Sequence, residues 1–315
     1  ENNVNGVGDG YTGTFGKEAV ASTTMTAPNR ITAFQDAYVR KTIDCLNDLP
    51  NVLWIVSEEA PPHSFWWNDH IISLIKEYEK QKPLQHPVGY GEVSVPNPEA
   101  DDVLYNSNAD WVAPLARVSP TRSCGKGEPP CKVNINDSDH SYFGMWNDTP
   151  QQNRTYIWEN FMNGNQVLFM DPYVVWYPRQ QRNLCANPAK GICPAPHARY
   201  DNFRDNLGYV LRYSRKLDLA RILPHPELSS TGYCLAATTP PGVQYLVYAP
   251  SGGAFTVNLS GNADSRELSG EWFNPATGRT VSQRPIASGS TSVTFKPPFE
   301  GDAILYLSDK MGKEK

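Results

Sequence analysis

The segment NVLWIVSEEA, residues 51 to 60, sets an unbroken apolar run, Val52 to Val56, directly before two adjacent carboxylates, Glu58 and Glu59. A run without polar alternation is the pattern of a parallel strand covered on both faces. Acids just past such a strand stand at its carboxyl end, the edge on which α/β barrels build their active sites. One short stretch therefore asks for a parallel α/β sheet and offers a candidate site.

The surroundings fit that demand. Residues 31 to 48 place Ile31, Phe34, Tyr38, Thr42 and Cys45 or Leu46 at helical spacing, which predicts a helix leading into the strand. Pro61 and Pro62 break the chain after the acids, and Ser64 is expected to cap a second helix with Trp67, Ile71, Leu74, Ile75 and Tyr78 on its apolar face. Extended segments follow at 86–90, 110–113, 132–136 and 166–170, and a further helix at 201–219 through Phe203, Leu207, Val210, Leu211 and Ser214. Strands alternating with helices predict a parallel α/β sheet or barrel. Only five strands precede Pro224, so the expectation is a (β/α)8-type barrel incomplete at its N-terminus, the Gly-rich opening ENNVNGVGDGYTG reading as a loop entered in mid-course.

From about Ser229 the pattern changes to short alternating runs, 245–248, 255–259, 271–273, 292–295 and 303–307, separated by turn clusters such as Asn274 to Gly278. These predict a small antiparallel β-sandwich. The expected organisation is a catalytic barrel domain over 1–228, the sandwich over 229–309 and a tail over 310–315.

Composition narrows the partners. A net charge of -5 with scattered Lys and Arg argues against nucleic acid. No apolar run approaches the roughly 20 residues that span a bilayer, so no membrane is expected. Eight Trp and sixteen Tyr, many in irregular stretches, suit the flat apolar faces of sugars. Cys124 with Cys131, and Cys185 with Cys193, bracket two short loops and are expected to form local disulfides, which implies a secreted or periplasmic protein. Cys45 and Cys234 read as buried free thiols. No His or Cys group has zinc-ligand spacing, and neither metal nor cofactor is expected.

Cleaving a glycosidic bond takes two carboxyl groups, one on each side of it. Glu58 and Glu59 alternate in direction along a strand, so a partner must come from elsewhere. KVNINDSDH, residues 132 to 140, ends in Asp137, Asp139 and His140, and QVLFMDPY ends in Asp171, Pro172 and Tyr173. At these residues the chain resembles the apiosidase-like glycoside hydrolases, barrel enzymes followed by a small β domain labelled as collagen-binding. NVLWIVSEEA, KVNINDSDH with nearby Tyr142, YIWENFMNGNQVLFMDPY, GEWFNPATGR and PPFEGDAILYL carry the resemblance, which extends over nearly all 315 residues.

The resemblance implies a barrel in which this chain lacks the first three βα units and is open at that side. It implies Glu59 as general acid/base and Asp139 as nucleophile or base, with Asp137 the competing choice. Many relatives have Glu where Asp139 stands. Glu58 and Trp54 would raise the pKa of Glu59 by like charge and desolvation. His140, Asp137 and Asp171 would orient the pair or hold sugar hydroxyls, and Trp66, Trp67, Trp146 and Tyr173 would offer stacking faces. The expected partner is a carbohydrate. The alternative class is a non-catalytic carbohydrate-binding protein, and an open sheet edge also invites a homo-oligomer.

Overall fold

The computed structural model describes residues 30–57, 64–91, 103–114, 132–137, 149–169, 201–239, 242–262 and 267–309. Contacts group the chain into two units, Glu1–His140 and Ser141–Lys315.

In the first unit, helix α1 (Arg30–Leu46), strand β1 (Trp54–Ile55), helix α2 (Phe65–Glu79) and strands β2 (Val88–Gly91), β3 (Trp111–Ala113) and β4 (Val133–Asp137) follow in chain order. The four strands are parallel neighbours, with Trp54 opposite Val88, Gly89 opposite Trp111 and Trp111 opposite Val133. Helices α1 and α2 pack on one face around Ile43, Trp67, Ile71, Ile72, Ile75, Val88, Tyr90 and Val112. The other face is different. Leu53 is 58 % and Ile55 47 % exposed, so the run 52–56 alternates instead of being covered twice as expected. Ile55, Gly89, Trp111 and Val133 share one lateral row on that face. A Cβ on Gly89 would fall 2.1 Å from the Trp111 ring, so glycine is what lets the indole lie across β2.

The packing face of α1 is rotated by one residue from its expected position. Thr32, Ile43 and Asn47 are buried, while Tyr38 is 73 % exposed and Phe34 and Cys45 are also exposed. The cause is polar. Gln35 accepts from Trp67 Nε1 at 2.9 Å, Asp36 Oδ1 lies 2.8 Å from His70 Nε2, and Asn47 donates to Glu79 at 3.2 Å, so α1 meets α2 through hydrogen-bonding side chains that apolar periodicity ignores. Cys45 is therefore an exposed thiol, contrary to expectation, whereas Cys234 is buried. The four cysteines of the two bracketed loops lie outside the described residues.

The second unit begins with helix α3 (Pro150–Met162), strand β5 (Gln166–Leu168) and helix α4 (Asp201–Lys216). Proline at the first turn and a reciprocal Thr149–Gln152 capping box start α3. Strands β6 (Leu223–Pro224), β7 (Cys234–Ala237), β8 (Gln244–Ala249), β10 (Leu268–Phe273), β11 (Thr280–Ile286) and β13 (Ala303–Ser308) form an antiparallel sheet of order β11-β10-β13-β8-β7-β6. Strands β9 (Phe255–Asn258) and β12 (Ser292–Phe295) pair as a separate ribbon. Between β10 and β11, Asn274 Oδ1 accepts from the Ala276 and Thr277 amides, and Gly278 supplies the positive φ of 71° that the turn needs.

The central strands β7, β8 and β13 of this sheet are buried on both faces, and the strand period sorts its residues. Ala236, Tyr245, Val247, Trp272, Leu305 and Leu307 face the ribbon residues Phe255, Val257 and Phe295. Leu235, Leu246, Tyr248, Phe273, Ile304 and Tyr306 face Trp158, Phe161 and Met162 of α3 and Tyr213 and Leu217 at the end of α4. The expected two-sheet sandwich is therefore a six-stranded sheet between a ribbon and two helices, and residues 141–228 group with it. Helix α4 packs through Phe203, Asn206 and Tyr213, while Leu211, expected inside, is exposed. Trp158 is the hub: its ring packs against Tyr213, Tyr248 and Phe273 at centroid distances of 6.0, 6.3 and 6.2 Å, and its indole N–H donates to Asn206 at 2.9 Å.

Beside it, Arg154 Nε and Nη2 donate to both oxygens of Asp302 at 3.0 and 2.8 Å, fixing α3 to the start of β13. Asp302 is 1 % exposed, and a fork of this kind is strong only while both partners remain. Asp302→Ala is expected to cost about 3–5 kcal/mol in denaturant unfolding, with most of it recovered when Arg154→Met accompanies Asp302→Leu. A loss below about 1 kcal/mol for the single change would contradict this account.

Candidate active-site edge

Because β1 to β4 are parallel, their carboxyl ends share one edge. Val56 and Ser57 continue β1 to that edge, Gly91 ends β2, Ala113 ends β3 and Asp137 closes β4. Glu58 and Glu59 follow Ser57 directly but lie outside the described residues, as do Asp139, His140, Trp146, Asp171 and Tyr173. Asp137 belongs to β4 by its backbone, and its side chain is outside as well.

The described residues around the edge are polar and interlocked. Ser57 Oγ donates to Asn68 Oδ1 at 2.6 Å, and Asn68 Nδ2 donates to the Ser64 carbonyl and to Ser64 Oγ, both at 3.0 Å. Ser64 precedes α2 but makes no side-chain cap hydrogen bond, contrary to expectation, because its hydroxyl is turned to Asn68. Tyr90, in β2, is buried near Asn68, and desolvation with the Asp69 charge raises its phenol well above the usual range.

Two aromatic candidates on α2 separate. Trp67 is 9 % exposed, packs in the core and donates its indole N–H to Gln35, so it is a packing side chain and offers no face to a sugar. Trp66 is half-buried, with one ring face stacked on His70 at 5.3 Å. Trp54, expected to flank Glu59, points to the helix layer and donates to Glu79 Oε1 at 3.0 Å.

The opposite edge of the sheet carries the buried charge. Glu79, 1 % exposed at the end of α2, accepts from Trp54 Nε1, from Asn47 Nδ2, and from the His86 amide at 2.7 Å. His86 Nδ1 is 2.7 Å from Glu79 Oε1 and its Nε2 is 2.9 Å from the Leu49 carbonyl. Both ring nitrogens face oxygen atoms that can accept, an arrangement that favours the protonated ring. Desolvation opposes the Glu79 charge, yet the combined hydrogen bonds from His86, Trp54 and Asn47 hold its carboxyl below the usual 4.5. The Glu79 hydrogen bond, against desolvation, raises His86 above the usual 6.5. On the same edge Lys132 donates to the Leu104 and Ser107 carbonyls and the Ser107 hydroxyl; burial, then Lys76, lowers it to about 8. These groups lie at the amino ends of the strands, where barrel folds place stabilising residues. Sequence reading missed this network, although a Glu ending an apolar helical stripe was a visible signal.

Among the described residues, no group of three or more His, Cys, Asp or Glu could hold a metal ion, and no helix is long and apolar enough to cross a membrane.

The fold has counterparts among solved structures. A glycoside hydrolase family 5 protein from Bacteroides vulgatus superposes with a TM-score of 0.61 at 14% identity, over 94% of this chain and 67% of that one. A second glycoside hydrolase gives 0.58 at 12% identity, over 88% and 69%. An alpha-amylase from Geobacillus thermoleovorans, complexed with acarbose, gives 0.50 at 10% identity, over 90% and 64%. The chain thus has the mixed α/β fold of barrel-type glycoside hydrolases, followed by an antiparallel sheet. Residues 226–308 match the family model described as "Putative collagen-binding domain of a collagenase". No curated protein matches the chain.

Two predictions follow from the packing and the charges. Trp67→Ala is expected to cost about 3–5 kcal/mol, and Trp66→Ala much less; equal losses in thermal or denaturant unfolding would contradict the core assignment. The pH dependence has two limbs. Glu79, with a lowered folded value, contributes fully above 4.5 and loses its contribution as pH falls through that lowered value. His86, with a raised folded value, contributes fully below 6.5 and loses its contribution as pH rises through that raised value. The pair's contribution is therefore largest between 4.5 and 6.5. His86→Asn should flatten the alkaline limb of the unfolding midpoint against pH, and a limb that survives the substitution would disprove its source.

Proposed function

We propose that this chain is a glycoside hydrolase of the apiosidase-like kind, in which Glu59 protonates the glycosidic oxygen and Asp139 attacks the sugar or activates water. The observation that carries the reading is the parallel sheet itself: acid-bearing segments follow β1 and close β4 at one carboxyl edge, in a fold shared with glycoside hydrolases. Asp137, the last residue of β4, is the competing partner. Glu58 tunes its neighbour, His140 and Asp171 hold sugar hydroxyls or orient the pair, and Trp146, Tyr173 and the free side of Trp66 receive sugar faces.

The distances set a condition. Strands β1 and β4 are three steps apart, roughly 14 Å in a flat sheet, whereas paired glycosidase carboxyls stand about 5–10 Å apart. The reading thus requires the sheet to curl so that its ends approach across a lumen, as in a barrel. The expected substrate is an oligo- or polysaccharide or an aryl glycoside. The role we assign to the C-terminal sheet is support, since α3 and α4 occupy one of its faces and the ribbon the other.

On a panel of chromogenic aryl glycosides, Glu59→Gln and Asp139→Asn should each lose at least about a hundredfold in kcat/KM. If both turn over at the parent rate, the assignment is wrong. Glycan binding without turnover by the parent would favour a non-catalytic carbohydrate-binding protein.

A further inference from the structure

Helix α1 carries its apolar stripe on the outside. Ile31, Phe34, Tyr38, Lys41 and Cys45 follow one another at alternating steps of three and four residues, the spacing of a seam along one helix face. Phe34, Tyr38, Lys41 and Cys45 are all exposed, Tyr38 by 73 %. The stripe cannot turn inward. Gln35 is bonded to Trp67, Asp36 to His70 and Asn47 to Glu79, and Ile43 is packed in the core, so the rotation of the helix is fixed from its other side. Large apolar side chains held in a row on the surface mark a contact surface.

The row is complementary to a second copy of itself. With a two-fold axis between residues 39 and 40, two such helices run antiparallel and set Phe34 against the partner's Cys45 and Tyr38 against the partner's Lys41, and the symmetry repeats each pair. Asp36 lies against His70 and Asp44 accepts from Lys82 and Tyr78, whereas Lys41 makes no ion pair among the described residues. Its ammonium is therefore available to the face of a tyrosine ring, a contact that strengthens as water is excluded. The Cys45 thiol behaves as a small hydrophobe beside Phe34. A parallel pairing would set each lysine on its own symmetry mate, like charge on like.

We propose that α1 is the contact surface of an isologous homodimer, in which two copies of the helix pack antiparallel through Phe34, Tyr38, Lys41 and Cys45. The inference is independent of the glycosidase reading. From Phe34 to Cys45 the helix is about 16 Å long, so the interface is small and the association belongs at the weak end, in the micromolar range.

The experiment is sedimentation velocity of the full chain from about 1 to about 300 μM, with charge and cysteine variants. The parent should pass from monomer to dimer over that range. Tyr38→Lys opposes two ammonium groups at both symmetric contacts and should weaken association by at least about tenfold, and adding Lys41→Glu to it should recover most of the loss. These positions are exposed, so the substitutions leave folding intact. Phe34→Cys tests the register. Under diamide, a diazene oxidant that takes up the two thiol hydrogens as each S–S bond forms, the introduced thiol should join the partner's Cys45 and trap a covalent dimer. Phe34→Cys combined with Cys45→Ser should cross-link no more than the parent. A parent that stays monomeric throughout overturns the proposal, whether Cys45 then alkylates freely or is shielded by another part of the chain. A dimer indifferent to Tyr38→Lys, or one that Phe34→Cys does not trap, lies on another face and overturns it too. Cross-linking of the parent through Cys45 alone is the mark of a parallel pair and overturns the antiparallel register.

Discussion

A carboxylate shut away from water organises the first unit. Glu79 collects hydrogen bonds from the end of α1, from β1 and from the start of β2, and it faces the His86 ring, whose other nitrogen is spent on the Leu49 carbonyl. Removing any partner leaves a buried polar group unsatisfied, so the elements are held in one arrangement. Helix α2 is fastened at both ends in this way, by Glu79 at the amino edge of the sheet and by Asn68 at the carboxyl edge. The first fastening pairs two ionisable groups and the second is neutral.

Periodicity made much of the architecture legible. The four parallel strands, the second helix and the late antiparallel strands all fall close to where alternation and turn residues put them, because these elements bury apolar side chains at regular intervals. It failed where packing is polar. Gln35 and Asp36 on α1, and Asn47 just past its end, bond to α2 beside the buried Ile43, so the apolar residues marked a face one residue off. On α4, Asn206 sits inside, bonded to Trp158 and to the Pro275 carbonyl, while Leu211 is outside. Strand β9 alternates as a half-exposed strand should, but β7, β8 and β13 are buried throughout because helices cover the face that a two-sheet sandwich would not explain.

The candidate site was legible in part and for a specific reason. Acids after apolar runs can be seen in a string of letters: Asp137 closes β4, while Glu58 and Glu59 follow Ser57 in the chain and lie outside the described residues. The hydrogen bonding around the sheet cannot be seen that way. Ser57, Ser64 and Asn68 come together across a turn, and Trp54 serves a carboxylate 25 residues away, opposite in direction to the role that its proximity to Glu59 suggested. Nearness in the chain was a poor guide to which residue tunes which.

The two-sided burial of the central strands of the six-stranded sheet bears on inheritance. The composition break near Ser229 and the family match at 226–308 both mark what looks like a self-contained cassette. Yet Trp158, Phe161 and Tyr213, encoded well upstream, form half of its core. A recombination event at the composition break would carry away a sheet with one naked apolar face, soluble in a new host only if something there replaced those helices. Shuffling of this segment between proteins is thus constrained to breakpoints ahead of α3, or to recipients that already own a matching pair of helices.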